Sequence, residues 1–260
     1  MPGHDLTLLI EAARESGRIA TQFTGPTAEV WDKPDGAGPV TEADLAVNRM
    51  LENDLRAACP DYGWLSEESV DDASRLNAER VFIIDPIDGT RSFIEGARTW
   101  AHALAVAQQG RVIAAVVYLP MLDKMYTAEI DGGAHLNGEP ICASDTSDLA
   151  AAEILAARPT MKPENWPGGM PDVAHSHRPS LAYRLSLVAE GRFDAMLTLR
   201  PSWEWDIAAG DLLLRESGAI SSTRTGTPLQ FNNPVPQQNG VVAGNTAIHA
   251  ELLARLQPVE

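Results

Sequence analysis

The chain is poor in cysteine, in positive charge and in long apolar runs, and each shortage excludes a class of protein. Two cysteines, Cys59 and Cys142, in 260 residues form neither a disulfide framework nor a CxxC metal or redox motif. Both read as small buried hydrophobes. Only 20 lysines and arginines stand against 36 aspartates and glutamates, a formal net charge of -16. Nucleic acid or an anionic membrane needs a basic stripe to displace counterions, so neither is expected as a partner. No window approaches the roughly 18 uninterrupted apolar residues of a membrane span, and Met1 to Asp5 has no basic region leading into an apolar one. A soluble, cytoplasmic protein is expected. No period of about 20 to 50 residues recurs, which sets solenoids aside.

What is present is ample apolar sequence, 44% of the chain, enough for one large domain or two modest ones. Leu6, Leu9, Ile10, Ala13, Gly17, Ala20 and Phe23 fall at helical spacing over residues 6–23. A loop with Lys33, Pro34, Gly36, Gly38 and Pro39 follows. Thr41 then opens a second helix, whose apolar face holds Leu45, Val47, Met50, Leu51, Leu55 and Ala58 and which Pro60 stops. Val81 to Ile84 has the length of a buried strand, ending at Asp85-Pro86, a pair that starts turns. Further strands are expected over 101–107, 112–118 and 124–129, in a mainly antiparallel sheet. Beyond Cys142 the pattern alternates: strand 153–157, helix 181–190, strand 194–199, helix 206–217, strand 240–243. The fold class is therefore α/β, with an α+β half over residues 1–145 and an α/β half over residues 146–260.

The stretch Asp85-Pro86-Ile87-Asp88-Gly89-Thr90 sends two carboxylates off the end of a buried strand on a tight turn. Asp-Pro and Asp-Gly are ordinary turn pairs, and Asp88 could merely cap a helix beginning near Arg91. The functional alternative has Asp85 bridging two metal ions about 4 Å apart, as two-metal hydrolases require, with Asp88 on one of them. Hard Mg²⁺ favours such oxygen ligands, including a backbone carbonyl like that of Ile87. Gly89 and Thr90 would then lie at a helix N-terminus, where free amides favour phosphate. In Trp205-Asp206-Ile207-Ala208-Ala209-Gly210, Asp206 begins a helix whose next residues are small, and it too could be only an N-cap. Ser66-Glu67-Glu68-Ser69 alone would be a solvated loop. Thr41-x-x-Asp44 matches a capping box.

Taken together these stretches resemble the inositol monophosphatase superfamily of lithium-sensitive, magnesium-dependent phosphatases, over nearly the whole length. D-P-[IL]-D-G-T falls on Asp85 to Thr90, W-D-x-A-A-G on Trp205 to Gly210, and E-E on Glu67-Glu68. P-V-T-x-A-D matches Pro39 to Asp44, and G-G-A-x-x-N-G matches Gly132 to Gly138. The resemblance implies a layered α/β/α/β/α sandwich, a homodimer, and two or three Mg²⁺ ions between the halves. It places Glu67, Asp85 and the Ile87 carbonyl on a first ion, Asp85, Asp88 and Asp206 on a second, and Glu67 also on a third. Asp44 and Thr90 match the catalytic pair that orients and deprotonates the attacking water, and Gly89 and Thr90 the amides that hold the phosphoryl group.

Asp88-Gly89-Thr90 also echoes the D-x-D-G-T of haloacid-dehalogenase-type phosphatases, but here the carboxylates are three residues apart with Pro86 between them. A catalytically silent module that binds a phosphorylated ligand is the reading of another class. His175 and His177 are two apart, and His4, His102, His135 and His249 are scattered, so they suggest no metal site. Trp203, Glu204 and Trp205 could be packing alone, although Glu204 beside Asp206 is a candidate substrate contact.

The resemblance implies a small phosphorylated substrate, and the residues around the motifs bear on which one. Ser92 stands where animal inositol enzymes carry Asn, and Leu199, seven residues before Asp206, where they carry an inositol-binding Glu. Leu65 to Glu68 and Arg91 to Ile94 resemble bacterial 3'(2'),5'-bisphosphate nucleotidases, which hydrolyse 3'-phosphoadenosine 5'-phosphate. Inositol-1-monophosphatase and histidinol-phosphate phosphatase are the alternatives. The resemblance places Ser180 in the substrate loop, where Pro179 stands in place of the relatives' Gly and lacks its amide. Arg91, Arg178, Arg184 and Arg200 are candidates for a second phosphate, with Arg184 and Arg200 first.

Overall fold

Helical apolar spacing near the N-terminus and near-continuous apolar strands in the middle give layers that bury each other. The computed structural model describes residues 3–23, 28–33 and 38–257; Pro34 and Gly36 of the expected loop lie outside them. Helix α1 (His4–Ala20) is followed by a short hairpin, β1 (Val30–Asp32) and β2 (Pro39–Thr41), where the sequence suggested only a loop. Helix α2 (Glu42–Ala58) begins at a complete capping box: the Thr41 hydroxyl accepts from the Asp44 amide while the Asp44 carboxylate accepts from the Thr41 amide.

The larger sheet comprises β3 (Gly63–Ser66), β4 (Arg80–Asp88), β5 (Ala101–Gln108), β6 (Arg111–Leu119), β7 (Lys124–Glu129), β8 (Gly133–Leu136) and β9 (Glu139–Ile141), side by side in that order. All neighbours are antiparallel except β3 and β4. A short α3 (Thr90–Ile94) sits between β4 and β5. The smaller half follows: β10 (Glu153–Ala156), β11 (Ala174–Ser176), α4 (Leu181–Ala189), β12 (Ala195–Thr198), β13 (Ser202–Trp203), α5 (Glu204–Glu216), β14 (Ile220–Ser222), β15 (Gln237–Gln238), β16 (Val241–Gly244) and α6 (Thr246–Leu256). Its five-stranded sheet runs β11-β10-β12-β16-β14, with β10 parallel to both neighbours.

Helices α1 and α2 bury Leu9, Val47 and Leu51 against Phe82, Ile84 and Leu104 on one face of the larger sheet. On its other face α4 and α5 are shared with the smaller sheet, where Leu185, Ile207 and Leu212 pack with Ala105, Val117 and Met196. Helix α6 closes the outer face with Ile248 and Leu252. The result is the α/β/α/β/α sandwich. With both faces covered, β4, β5 and β6 are apolar on both sides, so they lack the alternation of a half-exposed strand. Among the described residues no helix is long and apolar enough to cross a membrane.

Two local expectations change. The strand expected to end at Asp85 runs on to Asp88, because a bulge absorbs the proline: Asp85 lies opposite Ala103 and Asp88 opposite Ala101, so Pro86 and Ile87 face His102 alone and the missing amide interrupts no regular pair. Asp206 is not an N-cap. Trp203 takes that position and Asp206 lies in the first turn of α5.

Candidate active site

The bulge in β4 aims both of its carboxylates toward the first turn of α5. Small residues also let α5 pack tightly on α4, where a Cβ on Gly210 would lie 2.4 Å from the Leu185 side chain. Oxygens of Asp85, Asp88 and Asp206 all fall within 4.8 Å of one another. His102 fixes the bulge from below. Its Nδ1 lies 2.5 Å from the Pro86 carbonyl, which can only accept, so Nδ1 carries the proton. Burial pushes His102 down to about 4, and the ring stays neutral. Read from sequence as one of the scattered histidines, His102 has no local signal for this task because Pro86 is 16 residues away.

Like charges at this density are costly. Burial first, then Glu67 and Asp88, drives the Asp85 carboxyl well above its ordinary value; burial, then Asp88 and Glu67, does the same to Asp206. Asp88 rises to about 6, mainly from burial, although the Ser180 hydroxyl and the Ala182 amide each donate to its Oδ2 at 2.6 Å. Asp85 has no such relief: its Oδ1 is fully buried with no hydrogen-bond partner. A buried carboxylate oxygen left unpaired is expensive unless a cation meets it. An all-oxygen donor set with one orphaned atom fits a hard divalent ion.

Glu67 lies outside the trio. Its Oε1 is 2.7 Å from Nζ of Lys33, which also pairs with Glu68. Lys33 is a residue of this site that sequence reasoning treated only as loop. Burial, then Glu67, raises Glu68 to about 7. The Ile87 side chain is fully buried and its carbonyl accepts from the Thr90 hydroxyl at 3.1 Å. The same hydroxyl lies 3.4 Å from Oδ1 of Asp44, and its single proton serves one acceptor at a time. Asp44, fully buried, is lifted by that burial to about 6. It therefore serves the capping box through one oxygen and faces Thr90 with the other. Gly89 precedes α3 at φ 94°, a left-handed conformation that favours glycine. No side chain caps α3, which leaves its first amides free.

Two expected substrate contacts are occupied otherwise. Ser180 is fully buried, N-caps α4 through the Tyr183 amide and gives its proton to Asp88, which positions that carboxylate. Glu204 is also fully buried, and its two oxygens accept from the Asn232 and Asn233 amides and the Asn233 side chain. Those asparagines in turn bond to Arg75, which is 2% exposed and paired with Asp71. Glu204 thus ties the start of α5 to the other half of the molecule. Arg184 is buried close enough to feel the charges of Asp88 and Asp206, whereas Arg200 is exposed.

Two buried carboxylates on β4 and a half-buried one on α5, converging beside an Asp–Thr pair, point to a metal-dependent phosphatase. The family model described as "Inositol monophosphatase family" matches residues 4–259, and the chain belongs to that family. It is 31% identical to an inositol-1-monophosphatase of Rhizobium meliloti (strain 1021), covering 97% of this chain and 96% of that one. It is 32% identical to the Nus factor SuhB of Salmonella typhimurium (strain 14028s / SGSC 2262), covering 97% and 95%. Among solved structures, a Thermotoga maritima IMPase superposes with a TM-score of 0.85 at 27% identity, covering 98% of this chain and 97% of that one.

Proposed function

We propose that this phosphatase uses Mg²⁺ held by Asp85, Asp88 and Asp206, with Glu67 and the Ile87 carbonyl completing the set, and that its substrate is a bisphosphorylated nucleotide such as 3'-phosphoadenosine 5'-phosphate. The observation that carries the metal is the orphaned Asp85 Oδ1 among carboxyls already driven up by burial. When bound, Mg²⁺ acidifies water and offsets charge on the attacking and leaving oxygens. The chain's own groups do the rest. Asp44 draws on the Thr90 hydroxyl, which orients the water and passes its proton toward the carboxylate. The free amides at the start of α3 hold the phosphoryl oxygens, and Ser180 and Ala182 keep Asp88 in place. No side chain needs to be phosphorylated.

The nucleotide rests on Ser92 and Leu199, where animal inositol enzymes carry Asn and Glu, and on the resemblance of Leu65 to Glu68 and Arg91 to Ile94 to bisphosphate nucleotidases. The second reading is inositol 1-phosphate, favoured by the Rhizobium relative's name; histidinol phosphate is a third. A homodimer and inhibition by lithium accompany the family resemblance. The test is phosphate release from all three substrates, with Mg²⁺ and with a chelator. Release that depends on Mg²⁺ and is most efficient on the nucleotide is expected. Full activity in chelator would refute the metal, and a preference for inositol 1-phosphate would refute the nucleotide.

A further inference from the structure

Strands β10, β11 and β12 run parallel and end on one rim of the smaller sheet. Ala157, His177, Leu199 and Arg200, just beyond those ends, wall a cavity of about 390 Å³. That size and that place, outside the carboxyl ends of parallel strands, suit a small ligand. The lining is the unexpected feature. Arg184 from α4, Arg200 after β12 and Arg224 after β14 all line the cavity, and among the described residues no carboxylate does.

The three guanidiniums are also poorly satisfied. Among the described residues none of them forms an ion pair. Arg184 is 4% exposed, yet its side chain has a single long hydrogen bond, from Nε to the Ser180 carbonyl at 3.4 Å. Arg224 donates from Nη1 to the Leu199 carbonyl at 3.1 Å. A buried guanidinium with unused donors is costly until an anion meets it, and its planar fork suits phosphate. Burial first, and then Arg184, Arg178 and Arg200, lowers His177, as expected where cations gather. Ser180 bonds Asp88 through its hydroxyl and Arg184 through its carbonyl, so the cavity adjoins the acid trio. Leu199 keeps its wall neutral at the position where a glutamate would repel a phosphate.

We infer that this cavity is the subsite for a second phosphate of the substrate, held by Arg184, Arg200 and Arg224 while the phosphate to be cleaved lies at the acids. The inference rests on the phosphatase reading above and names the residues that select a bisphosphate. Its test uses two substrates that differ only in the second phosphate, 3'-phosphoadenosine 5'-phosphate and adenosine 3'-phosphate. Their kcat and KM are measured with Mg²⁺ for the wild type, Arg224→Gln, Arg224→Lys and Arg200→Gln, with thermal melting to show that each is folded.

The wild type should favour the bisphosphate by about tenfold or more in kcat/KM. Arg224→Gln should lose about tenfold of that preference, mostly through KM, and Arg224→Lys should regain part of it. No wild-type preference, or a preference retained in both Gln variants, overturns the subsite and leaves the phosphatase standing. No phosphate release from either nucleotide overturns the subsite, and, where inositol 1-phosphate run alongside as a control is not hydrolysed either, the phosphatase reading with it.

Discussion

The acid trio and the arginine cavity lie next to each other and both gather like charges, but the chain holds them in different ways. Asp85 and Asp88 share one bulged strand, Asp206 stands in the first turn of α5, and Asp88 is pinned by two hydrogen bonds of 2.6 Å. Arg184, Arg200 and Arg224 come from three separate segments, and their few bonds run to backbone carbonyls at 3.1 Å or more. The difference separates chemistry from selection. A cation site must be built to tight geometry, because hard ions tolerate little misplacement, whereas Arg200 and Arg224, long side chains on loops beyond β12 and β14, can adapt to, or be exchanged for, different substrates.

Breaking the acid side should have the largest effects. Asp85→Asn removes the charge that has no partner in the fold, and kcat should fall by about a thousandfold or more in phosphate-release assays. Asp44→Asn keeps the shape of the capping box but loses the acceptor for the proton that passes through Thr90. Its kcat should fall by roughly a hundredfold with divalent-ion affinity little changed, and an unaltered kcat would reduce Asp44 to a cap. Ser180→Ala frees Asp88 and uncaps α4. Affinity for Mg²⁺ should weaken about tenfold to a hundredfold, with about 1 kcal/mol of stability lost; calorimetry and melting read the two separately.

The smallest effect is on pH dependence. Asp85, Asp88 and Asp206 have folded pKa values above their ordinary ones, with Asp88 and Asp44 at about 6. The folded state therefore binds more protons than the unfolded chain between about pH 4 and pH 6, and stability falls as pH rises through that window. Melted in chelator, the wild type should lose a few degrees more than Asp88→Asn between those limits. Equal slopes would show that the trio is not strained.

How much of this could be read from sequence depends on the distance over which each feature is set. Helices α1, α2, α4 and α5 and the longer strands, β4 to β7 among them, follow from local apolar spacing and apolar runs, and Asp85 to Thr90 stood out because one hexapeptide both bends the strand and carries the charges. Asp206, which could have been only a cap, was found because Trp205 to Gly210 matches a motif that accompanies Asp85 to Thr90. Lys33 was missed because its partner Glu67 is 34 residues away, and His102 because it meets Pro86 across a hairpin. Ser180 and Glu204 looked like substrate contacts from their neighbours in sequence, but their hydrogen-bond partners are 92 and 28 or 29 residues distant. The residues β1 and β2 form strands of only three residues each, too short for any period to show. Arg224 carries no motif at all and is placed only by tertiary structure.

The most direct measurement is a calorimetric titration of Mg²⁺ into chelator-stripped protein, without substrate, for the wild type and Asp85→Asn. Saturable binding of more than one ion by the wild type, and its loss in Asp85→Asn, is the expected result. Equal binding by the two proteins would contradict a cation site built around the unpaired oxygen of Asp85.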